Sequence, residues 1–168
     1  MFHLPGSRYG FYTGPYQNAP TKGAHVFSEE ELEYLISQLL LRLATVDADG
    51  QPTVDAVGYE FEEGRFYIGG LNLPATRKYK NVASGNHKVS LIVDDLKTVS
   101  PWRPRGIRAS GMAEIVERRG RFGPAEYLCV TPAVSWSWGI EEREDFRNGK
   151  FTPKKVAWNK QQDDAEDQ

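Results

Sequence analysis

A single cysteine, Cys129, stands in a chain of 168 residues, which excludes an internal disulfide framework and a multi-cysteine zinc site. That scarcity fits a reducing compartment. Histidine is nearly as thin. His3, His25 and His87 are scattered, none has a ligand partner at helical spacing, and no metal site is expected. No apolar run approaches the ~18 residues of a membrane span. The opening "MFHLPGSRYG" has neither a basic start followed by an apolar core nor a small-residue cleavage site. We therefore expect no signal peptide, no membrane partner and a cytoplasmic location. Charge of one sign is also missing. A net charge of −2 argues against wholesale binding to nucleic acid or a membrane surface, so any basic site must be local.

What is present is the make-up of a globular chain, with 39% hydrophobic and 26% charged residues. Its length favours one domain. Residues 1–26 are rich in glycine, proline and tyrosine without a helical or strand period, and read as an irregular arm. Two readings stay open for it: an arm lying on another surface such as a partner subunit, or a partly disordered leader. Residues 27–158 form the domain, and residues 159–168 read as an acidic, disordered tail.

"SEEELEYLISQLL" predicts a helix. Ser28 and Glu31 make a capping box, and Leu32, Leu35, Ile36 and Leu39 form the expected apolar stripe. Strands follow. "LRLATVDADGQPTVDAVGYEF" is two strand-like runs about Asp49-Gly50, and "EEGR" turns into "RFYIGG". "KVSLIVDD" has buried-strand length, with Asp94 and Asp95 read as solvated turn residues at its end. "IRASGMAEIV" alternates, Ile107, Ala109, Gly111, Ala113 and Ile115 sharing one face. "FGPAEYLCV" reads as a short helix or turn, with Cys129 a small core residue, and "AVSWSWGI" as a final strand. Five or six hairpin-spaced strands with two or three helices predict an α+β fold, mainly β: a small antiparallel barrel with helices outside.

The segment "GGLNLPATRKYKNVASG" packs Arg77, Lys78 and Lys80 together with no acidic residue to balance them. Pro74 suits a first helical position, with Ala75, Tyr79 and Val82 facing inward and Thr76, Arg77, Lys78, Lys80 and Asn81 covering the rest. Cations in a first helical turn meet the positive end of the helix dipole, a conflict that a bound anion removes. Arginine grips phosphate at two points and lysine adds a point charge. The competing reading is a solvated helix face. No Walker pattern is present. "WRPRG" is similarly double. Its prolines stiffen a loop and Trp102 could plug the barrel, or Arg103 and Arg105 offer charge to an anionic cofactor or substrate. We prefer the second, because the prolines leave both cations little entropy to lose. Trp136 and Trp138 point the same way, with packing the default role and ring contact the second.

In order, "LATVDADGQPTVDAVGYEFEEGRFYIGG", "ATRKYKNVASGNHKVSLIVDD", "WRPRGIRASGMAEIVE" and "TPAVSWSWGIEE" resemble the pyridoxamine 5′-phosphate oxidase-like split barrels, over roughly residues 28–141. Within that superfamily they look most like the actinobacterial branch that uses the deazaflavin coenzyme F-420. The resemblance implies a homodimer of six-stranded split barrels with cofactor sites at the subunit interface. It implies that Arg77 and Lys78 hold the cofactor phosphate, helped by Thr76 and Lys80. Val57, Gly58 and Tyr59 would run along the ring, Gly58 allowing close backbone approach. Trp102, Arg103 and Arg105 would close the site, across the interface or within the subunit, and Trp138 would approach the ring. No full set of pyridoxal-phosphate-contacting residues can be matched, which disfavours pyridoxamine phosphate oxidation. The implied function is F-420-dependent hydride transfer to a conjugated or unsaturated small molecule. Alternatives are an FMN-dependent oxidoreductase and a non-catalytic flavin or deazaflavin carrier. No catalytic side chain is implied.

Overall fold

A computed structural model of the chain describes residues 27–141, 145–147 and 150–158; the predicted arm and acidic tail lie outside them. Helix α1 spans Glu29–Ser37. Strands β1 (Leu40–Val46), β2 (Pro52–Gly58), β3 (Glu60–Glu62) and β4 (Arg65–Ile68) follow. A 3-10 turn at Leu73–Ala75 leads into α2 (Arg77–Ala83). Then come β5 (Lys88–Thr98), β6 (Arg103–Gly120), β7 (Gly123–Trp138), the small pair β8 (Phe146–Arg147) and β9 (Lys150–Phe151), and β10 (Lys154–Ala157). Among the described residues no helix is long and apolar enough to cross a membrane.

The predicted six strands are β1, β2, β4, β5, β6 and β7, and the short β3 and β10 extend them to an eight-stranded sheet. The order is β2-β1-β5-β6-β7-β4-β3, with β10 on β7, and every pairing is antiparallel. The hydrogen-bonded path does not close. Its two ends, β2 and β3, are successive parts of one chain segment that parts at Tyr59, so the sheet curls round until the chain itself spans the gap. Inside lie Leu41, Leu43, Leu91, Val93, Ile107 and Val130, all at most 2% exposed. This is a mainly β, α+β fold with few helices.

Local chemistry explains the turns. Asp47 Oδ1 accepts from the amides of Asp49 and Gln51 at 3.1 and 2.9 Å, and Gly50 takes φ +83°. These bonds make the predicted β1–β2 hairpin, since a left-handed turn residue matches the strand twist. In α1 the capping box forms in both directions: Glu31 N–H donates to Ser28 Oγ at 3.3 Å, and Ser28 N–H to Glu31 Oε2 at 2.8 Å.

Several expectations change. The buried face of α1 is Glu31, Tyr34 and Leu35, whereas Ile36 and Leu39 are 61% and 70% exposed. Two polar side chains turn inward because each finds partners there, Glu31 on Ser137 and Tyr34 on Asp95. Leu39 falls past the helix end, where helical spacing no longer applies. "FGPAEYLCV" is not a helix or turn but the first half of β7. There Tyr127, Leu128, Cys129 and Val130 are all buried on an inner strand paired with β6 and β4, so both faces are covered and the two-residue period is hidden. Asp94 and Asp95 are strand residues rather than turn residues. A register shift between Leu96 and Thr98 lets β5 and β6 stay paired to Thr98 and Arg103. In and just before α2, Val82 is buried and Arg77 and Lys80 are exposed as expected, whereas Ala75 is exposed and Asn81 is 5% exposed, the reverse of the expectation at those two positions.

Candidate cofactor site

The cationic helix begins at Thr76, whose hydroxyl donates to the Leu73 carbonyl at 2.7 Å and accepts from Tyr79 N–H at 3.4 Å. That cap starts α2 two residues after Pro74, with Arg77 as its first residue. The helix is pinned to the barrel by Asn81, whose Nδ2 donates to Thr45 Oγ1 at 2.9 Å, while the Thr45 and Thr53 hydroxyls lie 3.1 Å apart. A line of polar bonds thus runs from α2 through β1 to β2.

On β2, Thr53, Asp55 and Val57 share the half-buried face, while Val54, Ala56 and Gly58 are exposed. Lys78 reaches this strand. Its Nζ lies 3.4 Å from Asp55 Oδ2, and its side chain is 13% exposed against 42% for Asp55. Arg77 and Lys80 are exposed, and neither makes an ion pair with a described residue. A Cβ at Gly58 would have only the Leu39 carbonyl within reach, at 3.8 Å, so the backbone there is open to a close neighbour. Tyr59 is buried, donates its hydroxyl to the Leu35 carbonyl at 2.6 Å, and has its pKa pushed up by burial. It is a packing residue that anchors α1 at the barrel gap. Lys78 and Asp55 are thereby brought together, with Val57 two residues along the same face of β2 and Gly58 next to it.

The second predicted group sits elsewhere. Trp102 is 65% exposed at the β5–β6 turn, and Arg103 is exposed at the start of β6. The ladder carries the level of Asp55 through Leu43 and Leu91 to Ala109, six residues beyond Arg103 on β6. At ~3.3 Å per residue that is roughly 20 Å along the sheet. A single subunit does not bring Trp102 and Arg103 to Lys78. Arg105 is engaged: Nε and Nη2 donate to the two Asp95 oxygens at 2.7 and 2.9 Å, and its guanidinium lies 4.9 Å from the Tyr34 ring centre. Those bonds hold the Asp95 carboxyl below the ordinary carboxylate range and raise Arg105. The Tyr34 phenol is pushed up by burial and then by Asp95.

Trp138 packs over Gly106, where a Cβ would come within 2.8 Å of its ring, and meets Phe151 edge-on at 5.9 Å between centres. Trp136 shares that outward face and stacks on Arg108, its ring centre 4.1 Å from the guanidinium. Ser135 and Ser137 take the inward positions, bonded to Trp158 and Glu31. Cys129 is buried, and burial pushes its thiol up, as suits a core residue. Among the described residues no three metal-ligating side chains converge. Residues missed by sequence reasoning are Asp55, Asn81 and Thr45. Asp55 had one signal, its two-residue spacing from Val57, which puts both on one strand face. Asn81 had none beyond its place between Lys80 and Val82.

Residues 27–148 match the family described as pyridoxamine 5′-phosphate oxidase. The chain belongs to that family. A pyridoxamine 5′-phosphate oxidase-family chain of this kind has a relative in Streptomyces rimosus subsp. rimosus, the 5a,11a-dehydrotetracycline/5a,11a-dehydrooxytetracycline reductase. The two are 34% identical over 121 residues, 68% of this chain and 84% of the relative. A conserved hypothetical protein of Mycobacterium tuberculosis shares the fold with a TM-score of 0.56 at 22% identity, over 68% of this chain and 86% of that one. A solved F420 reductase does so with a TM-score of 0.50 at 23% identity, over 61% and 93%. At those identities the solved structures speak to the fold alone.

Proposed function

We propose that this protein is an oxidoreductase that uses the deazaflavin coenzyme F-420 to reduce a conjugated or unsaturated small molecule, and that it works as a homodimer. The observation that carries the reading is the cation set on α2. Arg77 and Lys80 have no ion-pair partner among the described residues, Lys78 is ordered against β2, and Thr76 caps the turn, in a chain whose relative is named as a reductase.

The donor set fits the phosphate of a flavin-type cofactor. Arg77, Lys78 and Lys80 with the Thr76 hydroxyl would hold that phosphate. Val57 and the open backbone at Gly58 would lie along the ring, and Tyr59 would support that strand from below. When bound and reduced, such a cofactor supplies the hydride. The protein supplies binding, orientation and exclusion of water, and the proton for the product can come from solvent. In this reading Trp102, Arg103 and Trp138 serve a site to which a second copy of the chain contributes, since Trp102 and Arg103 do not reach Lys78 within one subunit. Arg105, held by Asp95, braces the β5–β6 hairpin that carries Trp102 and Arg103.

The test is a titration of the purified protein with F-420 and with FMN, followed by quenching of its four tryptophans. F-420 binding in the micromolar range or tighter, with weaker FMN binding, is expected. Micromolar FMN binding with none of the deazaflavin reverses the cofactor assignment. Reduced F-420 should then be oxidised faster when protein and a panel of enones and quinones are combined. No acceleration with any of them would make the protein a carrier. Sedimentation as a monomer at micromolar concentration would sink the dimer.

A further inference from the structure

A carboxylate is an odd neighbour for a phosphate-binding lysine. Asp55 Oδ2 stands 3.4 Å from Lys78 Nζ, on the same half-buried face of β2 as Val57. The fold has little use for this pair. With 42% of the Asp55 side chain exposed, an ion pair of that length contributes little to stability. The other two cations of the turn, Arg77 and Lys80, have no such partner among the described residues. Asp55 therefore places one negative charge at one cation of the set, where the incoming phosphate must bind.

From this juxtaposition we infer that Asp55 is a specificity-determining residue that selects a singly charged phosphodiester over a doubly charged phosphomonoester at Lys78. The inference rests on the cofactor reading above. It has two physical parts. First, Asp55 positions Lys78: an ammonium already held against the strand has fewer rotamers to lose when a ligand arrives. Both ester classes gain equally from that. Second, Asp55 repels any anion, in proportion to the anion's charge. A phosphomonoester carries about −1.5 to −2 near neutral pH, whereas a diester carries a single charge. The repulsion falls nearly twice as heavily on the monoester of FMN as on the diester of F-420. A site with three cations and no acid would favour the dianion instead.

The experiment measures dissociation constants at pH 7.5 for FMN and F-420, with riboflavin and the phosphate-free deazaflavin as ring-only controls. The proteins are wild type, Asp55→Asn, Asp55→Glu and Lys78→Ala. Asp55→Asn should tighten FMN about tenfold relative to riboflavin, and F-420 by roughly threefold or less relative to its own ring control. Asp55→Glu, which keeps the charge, should keep the wild-type preference. Equal changes for both phosphates, or none, in Asp55→Asn would overturn the role given to Asp55. So would a preference that Asp55→Glu shifts as far as Asp55→Asn does. Failure of the underlying site has a different mark: Lys78→Ala would leave both phosphorylated cofactors unchanged against their ring controls.

Discussion

Asn81 Nδ2 donates to Thr45 Oγ1 at 2.9 Å, and both side chains are buried. Among the described residues, that bond is the buried one of three side-chain bonds that tie the cationic helix to the sheet, the others being Tyr79 to Glu126 and Lys78 to Asp55. Asn81→Ala would leave the Thr45 hydroxyl short of a donor and should cost about 1–3 kcal/mol. Amide hydrogen exchange should show the loss first in α2, with protection falling there more than in β5 or β6. Uniform loss across the domain would argue against the pin.

Lys78→Ala should weaken F-420 binding by about 1–3 kcal/mol, the worth of a charge-assisted contact. Fluorescence titration reads it directly. An unchanged dissociation constant would take Lys78 out of the site. Arg77→Ala should act in the same direction, since its charge has no ion-pair partner among the described residues.

Acid should weaken the fold through Asp95. Its pKa is lowered from the ordinary 3.8, chiefly by hydrogen bonds from Arg105. A carboxylate whose folded pKa is depressed adds stability that is present above the unfolded value and lost as pH falls through the folded one. Asp95→Asn should therefore lower stability at pH 7 by about 1–2 kcal/mol, discounted for partial exposure. The gap from wild type should close as the pH drops below 3.8. Urea unfolding across pH checks both parts, and a constant gap would remove Asp95 from the acid limb.

Glu31 is only 2% exposed, yet it accepts from Ser28 N–H and Ser137 Oγ and sits 3.2 Å from Lys154 Nζ. Burial opposes the Lys154 charge, but the bonds it donates to the Glu141 and Glu31 carboxylates outweigh it and raise its pKa. Glu31→Ala breaks the capping box and strips a partner from a half-buried lysine. The expected cost is about 3–4 kcal/mol, with Glu31→Gln milder because it keeps an acceptor. Equal urea midpoints for the two variants would show that the charge, not the hydrogen bonds, matters there.

Features that depend on neighbours in the chain were legible. The Ser28–Glu31 box, the Asp49-Gly50 turn and the alternation from Ile107 to Ile115 each rest on a few adjacent side chains, and all three are present. Reading failed where two elements share a residue. Tyr127 to Val130 look like no strand because all four are buried on an inner strand of the sheet, which erases the alternation of apolar and polar residues. Ile36 and Leu39 suit a helix interior by spacing, but Tyr34 and Glu31 hold that face through partners far along the chain.

The candidate site divides in the same way. A run of cations without an acid is visible in residues 77–80, because charge density along a chain is a local property. Which of those cations is tethered is not, since Asp55 lies 23 positions from Lys78 and meets it only once the fold sets α2 where the Lys78 side chain reaches β2. Nor could the chain order reveal that Trp102 and Arg103 stand well along the sheet from that meeting point. Strand register set that distance, and register follows from how the whole barrel fills its interior.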